Sequence, residues 1–336
     1  MYNVSVSPHV RAQNTTKSVM RDVVIAMLPI LAFGVYQFGF DALKVIVISI
    51  ATCVISELLF ELIAKKPITV FDYSAVVTGM ILAINLPANV AWWIPVIGGV
   101  FAIVAVKMLF GGIGQNFMNP ALAARCFLLI SFTGRMSDFA TSGTLPQQIE
   151  LIKTGGFKAL TAAADVTAGA TPLAVIKGGG EVDLLTLFLG FHGGCIGEVS
   201  ALAILVGGLY LIVKKVISVR IPLTYILSTV LFVFLLNLAQ GNDVTVNYML
   251  GQVLSGGLLV GAFFMATDYA TSPITAKGQI LYGVILGLMT ALFRVLGSSA
   301  EGVSYAIIIG NLLVPIIEKI TIPKPFGCEK AKGENK

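Results

Sequence analysis

Residues 23–63 read VVIAMLPILAFGVYQFGF (23–40), Asp41, then ALKVIVISIATCVISELLFELI (42–63), and this stretch decides the fold. Each apolar run holds about as many residues as the roughly 20 that a helix needs to cross the hydrocarbon core of a bilayer. Working outward, further apolar runs fall at 74–88, 92–110, 117–133, 198–213, 221–239, 246–266, 278–297 and 302–317. Of the 336 residues, 57% are hydrophobic and 12% are charged, and the mean hydropathy is +0.92. Soluble domains carry about 25% charged residues, so this chain lacks the polar shell that a water-facing surface requires. The predicted fold class is an all-α polytopic membrane protein with about ten transmembrane helices.

Several runs are shorter than a perpendicular span, and Gly79, Gly256 and Gly257 lie inside them. Irregular backbone at membrane depth is tolerated only where protein buries it, which predicts tilted or broken helices within a bundle. The run 184–191 leads into FHGGC (191–195) and reads as a re-entrant or half-helix. An internal echo joins Asp72-Tyr73-Ser74-Ala75 in the third run to Asp268-Tyr269-Ala270-Thr271 after the eighth. Two five-helix halves with an odd count each would be inverted relative to one another, a 5+5 inverted repeat with sites near its pseudo-two-fold interface.

Lys and Arg concentrate in alternate connections. Arg11, Lys17 and Arg21 precede the first run; Lys65 and Lys66 follow the second; Lys214, Lys215 and Arg220 follow the sixth; Lys277 follows the eighth; Lys319, Lys324, Lys330, Lys332 and Lys336 end the chain. The connections near 87–91, 240–246 and 298–303 contain none. The positive-inside rule then puts both termini on the cytoplasmic side of a multi-pass protein of the cell membrane. Five regions follow: a cytoplasmic segment 1–22, a first transmembrane half 23–133, an outer-face loop 134–183, a second half 184–319 and a cytoplasmic tail 320–336. The N-terminal stretch is polar and too long for the n-region of a cleavable signal, so the first run is read as a retained span.

A net charge of +5 could suggest nucleic acid, but no basic patch interleaved with aromatics is present, and membrane orientation accounts for the surplus. Cys53, Cys126, Cys195 and Cys328 are scattered without a C-x-x-C or Cys/His cluster, which argues against a metal site or a disulfide frame.

The 134–183 connection contains Asp165-Val166-Thr167-Ala168-Gly169-Ala170-Thr171-Pro172-Leu173. On its own this is a small-residue turn that exposes a hydroxyl beside a proline, and a lone Thr is a poor nucleophile. The stretch resembles the flavinylation motif Asp-x-x-(Ser/Thr)-Gly-Ala-(Ser/Thr), whose last hydroxyl receives FMN through a phosphodiester. The match makes Thr171 the attachment residue and Asp165 the leading acid, with Gly169 and Ala170 leaving room for a flavin transferase; Ala168 departs from the pattern. SPHVRAQNTTKSVMRDV, FDYSAVVTGMILAINLP, FGGIGQNFMNPALAARCFLL and GGCIGEVSALAILVGGLYL extend the likeness. Together they resemble the D subunit of the Rnf electron-transport complex and, more distantly, the B subunit of the Na⁺-translocating NADH:quinone oxidoreductase.

That resemblance implies a membrane flavoprotein subunit of an ion-translocating ferredoxin:NAD⁺ oxidoreductase. It relays electrons through FMN on Thr171 and is active only with other membrane and peripheral subunits, a second flavinylated subunit among them. Riboflavin is a possible second cofactor in that family. The chain itself shows no nucleotide fingerprint and no Fe–S cysteine pattern. The competing readings are an inverted-repeat transporter or channel, and a scaffold subunit without a redox role.

Charge inside a membrane is costly and usually functional, so Glu198, Asp72 and Asp268 are candidates for an ion path or a lined site. Glu198 reads either as an ion or proton ligand, as a carboxylate orienting a broken helix, or as an ordinary first-turn acid favoured by the helix dipole. Asn116, Asn119 and Arg125 read as helix caps or as a flavin or subunit contact. Lys107 and Arg294 read as helix-end side chains that snorkel to the interface, Arg294 with a conceivable contact to the flavin phosphate. His192 reads as structural.

Overall fold

The computed structural model describes residues 15–139, 143–150, 152–153, 171–180, 182–241, 244–297 and 302–323. Asp165, Gly169 and Ala170 of the motif, residues 1–14 of the N-terminal segment and 324–336 of the tail lie outside them. Among the described residues the regular elements are helical, and one isolated antiparallel bridge joins Pro87 to Cys195.

Helix α1 runs Thr16–Ile63, 48 residues, and opens on a capping box. Thr15 Oγ1 accepts from Ser18 N at 3.2 Å, and Ser18 Oγ accepts from Thr15 N at 3.0 Å. A straight helix of this length would span about 72 Å, more than twice a hydrocarbon core. Gly39 prevents that: its φ of 66° and ψ of −142° suit only a residue without Cβ. The chain reverses there. Val19, Met20 and Val23 of the first leg line the same cavity as Ser74 and Lys107, and Lys107 pairs with Glu57 of the second leg. The runs 23–40 and 42–63 are these two legs. The backbone groups freed by the break are taken up by the buried Gln148, whose Oε1 accepts from Phe40 N at 2.9 Å and whose Nε2 donates to Phe38 O at 3.3 Å.

The other apolar runs also become helices. These are α2 (Ser74–Ile84), α3 (Trp93–Met108), α4 (Pro120–Ser131), α7 (Ala201–Val213), α8 (Arg220–Ala239), α9 (Val246–Leu254), α10 (Leu258–Met265), α11 (Ala276–Val295) and α12 (Val303–Thr321). Two six-residue helices, α5 (Pro172–Lys177) and α6 (Leu184–Leu189), precede α7. By length and apolarity α1, α8, α11 and α12 qualify as spans, and α9 with α10, bent by 56°, makes a fifth. Helices α2, α3, α4 and α7 fall short of the ~20 residues of a perpendicular crossing. Run 74–88 overshoots α2 because the chain leaves the helix at Asn85, just before Pro87, and run 117–133 starts early because Asn119 caps α4. The run 184–191 forms the six-residue helix α6, capped by Asp183 and ended by Gly190 in the left-handed region. The Thr186 Oγ1 hydroxyl, donating to Asp183 Oδ2 at 2.5 Å, holds the Asp183 carboxyl below the usual range, aided by Leu185 N and Thr186 N, each at 3.2 Å.

The surface is built for lipid. Helix α8 exposes Leu223, Leu227, Leu231 and Leu235 on one stripe and buries Ser228, Thr229 and Asn237 on the other. That is the reverse of a water-soluble helix. The chain is a multi-pass membrane protein. Glycines bring its helices close, as at intramembrane interfaces generally. A Cβ on Gly287 of α11 would lie 2.7 Å from Ser228 Cβ and Thr229 N of α8, and one on Gly99 of α3 would lie 2.9 Å from Thr52 of α1. Gly287→Val is therefore expected to wedge α8 from α11 at a cost of about 1–3 kcal/mol. Its detergent unfolding midpoint should fall, while Val284→Leu on the lipid-facing side of the same helix leaves it unchanged.

Candidate functional site

With apolar groups outside, the polar side chains collect inside, and they form three groups. The first sits where the broken segments meet. Helix α2 stops at Ile84, and its free carbonyls are met by the chain entering α7: Gly197 N donates to Ile84 O at 2.8 Å and Ile196 N to Leu86 O at 3.1 Å. This crossing presents Glu198 to Arg125 of α4. The guanidinium lies 3.5 Å from Glu198 Oε1, donates to Asn85 Oδ1 at 2.6 Å and to Ser304 Oγ of α12 at 3.0 Å, and reaches Cys195 Sγ at 3.6 Å. Both charges are buried. Of the sequence readings of Glu198, the first-turn acid is set aside, because Ser200 is the N-cap of α7 and accepts from Ala203 N. Asn119 does cap α4, accepting from Ala121 N and Leu122 N. Arg125 ties the end of α2, α4, the entry to α7 and α12 together.

The second group lies around Lys107, in a π-helical turn at the end of α3. Lys107 does not snorkel: it is 2% exposed, 2.6 Å from Glu57 Oε2 and 2.6 Å from Ser74 Oγ. Thr69 Oγ1 bridges Glu57 and Glu61, at 3.3 and 2.5 Å. Asp72 accepts from Ser74 N and Oγ, and Asp268 makes the same kind of turn with Ala270 N at 3.4 Å and Thr271 Oγ1 at 3.1 Å. Ser74, Lys107 and Asp268 line a cavity of about 100 Å³. Burial pushes the Asp268 carboxyl above its ordinary range against the pull of those two bonds. Asp72 and Asp268 thus share one end of the bundle, and Glu198 belongs to a different cluster; the three candidates do not form a single site.

The third group contains Thr171. It is the N-cap of α5, where its Oγ1 accepts from Ala174 N at 3.4 Å, and it is 8% exposed. The hydroxyl read from sequence as exposed is thus covered, packed at the loop-to-helix joint. Two residues on, Leu173 reaches the break between α9 and α10, into the space a Cβ on Gly256 would fill. Arg294 of α11 holds that break. It is 3% exposed, donates through Nη1 to Gln252 O and through Nη2 to Ser255 O at 3.1 Å and Gly256 O at 3.0 Å. It is a buried helix-break clamp, where sequence suggested a snorkelling end. Ile176 and Lys177 of α5, with Arg294, Asn237 and Tyr248, line a cavity of about 640 Å³.

His192 Nδ1 lies 3.0 Å from Gly193 O. Among the described residues Cys53, Cys126 and Cys195 are buried and form no disulfide, and no group of three or more His, Cys, Asp and Glu is placed to hold a metal ion. Sequence reasoning passed over Glu57, Glu61 and Gln148. Glu57 and Glu61 carried a signal as charges inside the apolar run 42–63, where such groups must find partners; Gln148, in the 134–183 connection, carried none.

Buried charge clusters at helix breaks within an apolar bundle define a polytopic membrane protein built around irregular segments. The model of the NQR2, RnfD, RnfE family matches residues 3–327, and the chain belongs to that family. It is 48% identical to the D subunit of the Na(+)-translocating ferredoxin:NAD(+) oxidoreductase complex of Acetobacterium woodii, over 99% of this chain and 98% of that protein. It is 36% identical to the D subunit of the proton-translocating ferredoxin:NAD(+) oxidoreductase complex of Clostridium ljungdahlii, over 98% and 97%. It is 37% identical to the D subunit of the ion-translocating oxidoreductase complex of Vibrio cholerae, over 96% and 99%.

Proposed function

We propose that this chain is the D-type subunit of a membrane complex that passes electrons between ferredoxin and NAD⁺ and couples them to translocation of a monovalent cation, with FMN esterified to Thr171. The observation that carries the reading is full-length similarity to subunits so named, together with a flavinylation-like motif ending at Thr171.

The residues described fit such a group. Thr171 Oγ1 acts as a hydrogen-bond acceptor, a capacity a phosphate ester retains, so attachment need not unwind α5. Beside α5 lies a cavity of about 640 Å³, within the ~300–1,000 Å³ range of small-molecule sites. Bound through its phosphate, FMN supplies a ring free to take or give one or two electrons, whose potential the protein tunes by burial and charge. In this reading Thr171 fixes the position of the group and Leu173 docks the attachment segment on the α9–α10 break. The chain works with other membrane and peripheral subunits, a second flavinylated one among them, and a flavin transferase loads it.

The positive-inside asymmetry supports cytoplasmic termini and an outer-face 134–183 connection. The pairing of Lys17 with the Tyr73 ring and of Lys66 with Phe60 keeps those cations at one end of the bundle, consistent with that orientation. The paired short segments at the α2 end and the α9–α10 break support an inverted repeat, whose interface would hold the Arg125–Glu198 cluster.

The test is in-gel fluorescence of the denatured chain, expressed with its transferase. A fluorescent band is expected for the native sequence and complete loss of it for Thr171→Val. A dark native band with an active transferase, or a Thr171→Val chain that keeps full complex activity, would refute the flavin assignment and favour a scaffold or transporter.

A further inference from the structure

Helix α5 is six residues long, well below the ~12–15 at which an isolated helix becomes marginally stable in water. Docking holds it instead. Leu173 and Ile176, three residues apart and so on one face, are both buried. Each fills a gap left by a glycine. Leu173 reaches the space beside Gly256 in the α9–α10 break, and a Cβ on Gly251 of α9 would lie 2.7 Å from Ile176 Cδ1. Lys177 adds a bond to Gly297 O beyond α11. At the far end of α5 come Gly178, Gly179 and Gly180; Gly179 has φ 79° and nothing near the place a Cβ would take, so the joint can turn at little steric cost. At the near end Thr171 is 8% exposed, and Ala174 N engages its Oγ1.

We infer that α5 is a latch that must leave the α9–α10 break before FMN can be esterified to Thr171, so that loading precedes docking; the inference rests on the flavin reading above. Esterification joins the Thr171 oxygen to the FMN phosphorus of a flavin dinucleotide and breaks the P–O bond of its pyrophosphate. The nucleoside monophosphate leaves with the bonding pair, and the hydroxyl proton passes to base. The phosphorus must come within about 3.5 Å of the attacking oxygen, with the leaving group in line on its far side. A covered hydroxyl offers no such approach to a donor held by a second protein. Withdrawing Leu173 and Ile176 removes the contacts that keep so short a helix wound. The Ala174 N bond to Thr171 Oγ1 then opens with the first turn, and the hydroxyl emerges on an extended segment. Loading of a folded chain follows the small population of this undocked form, whereas a chain loaded during synthesis meets no such barrier. Redocking restores the cap, since the esterified oxygen still accepts.

The experiment purifies the full-length chain without transferase, then supplies transferase and flavin dinucleotide and follows in-gel fluorescence with time. The native chain is compared with Ile176→Ala and Gly251→Val. Both substitutions lie outside the motif that a transferase reads, and Gly251→Val acts from α9 without altering α5. Ile176→Ala, a truncation on the short helix alone, keeps the test usable if Gly251→Val fails to fold. Each variant is expected to load about tenfold faster than the native chain, because each weakens the docked form. A second readout needs no flavin: maleimide labelling of Thr171→Cys in a Cys328→Ser background, Cys53, Cys126 and Cys195 being buried. Labelling should be at least about tenfold slower in the folded than in the denatured chain, and Ile176→Ala should speed it. Equal loading rates in all three chains, or a folded chain labelled as fast as the denatured one, would overturn the inference and leave Thr171 attachment standing. A native chain that stays dark even when co-expressed with an active transferase would instead remove the reading on which it rests.

Discussion

Lys107→Met is expected to destabilise the protein by about 3–5 kcal/mol, because it leaves Glu57 as an uncompensated charge with its carboxylate 0% exposed. The lysine at 2.6 Å is the partner that makes two glutamates on one buried helix face tolerable: Glu57 and Glu61 share Thr69, and Glu57 alone reaches Lys107. Ser74 at the start of α2 would lose its second partner as well, loosening the junction of α1, α2 and α3. The measurement is the detergent unfolding midpoint of Lys107→Met, Glu57→Gln and the double variant. The double variant should recover most of the loss, since replacing both members of a buried pair by neutral groups is often close to neutral. A single variant as stable as the native chain would mean that the pair is hydrated or that Glu57 is already protonated.

Arg125→Met should cost a similar ~3–5 kcal/mol, since it strips Glu198 of its cation inside the bundle. The consequence differs in place. Arg125 also donates to Asn85 and Ser304, so its loss releases α2, α4 and α12 from one another while each helix keeps its own backbone bonds. Glu198→Gln is expected to be much milder, because the amide oxygen can still accept from the guanidinium. Hydrogen exchange should show protection lost at residues 195–199 and at the end of α2 in Arg125→Met, with α8 and α11 unchanged. Uniform loss across all helices would mean that the cluster is not a local tie but part of the global folding unit.

These two clusters mark how far the chain could be read unaided. Ala168 in place of Ser or Thr and the covered Thr171 hydroxyl show that a short motif singles out a residue without its surroundings. Asn119 was legible as a cap, because capping is local chemistry over three residues. Arg125 in the next turn was not. Its partners stand 40, 73 and 179 residues away along the chain, and no spacing rule connects them. Lys107 and Arg294 were misplaced for the same reason: a charged residue near the end of an apolar run snorkels if the end meets water and is buried if the helix is short and enclosed.

By itself the sequence determined the solvent and the element type. Ten apolar runs with 12% charge point to lipid as the surroundings, and in lipid the backbone must close its hydrogen bonds within helices or a closed barrel; long continuous apolar runs select helices. Helix ends were legible only in part: Gly256-Gly257 marked a break and Asn119 a cap, whereas the ends of α2 and α4 differ from the apolar runs that predicted them. Only the tertiary structure decided which breaks face each other, that Gln148 seals the Gly39 reversal, and that Arg125 meets Glu198 while Arg294 meets the α9–α10 break beside Leu173. Helix formation depends on contacts three or four residues apart, which a local pattern records; pairing of buried charges depends on how whole helices pack, which no local pattern contains.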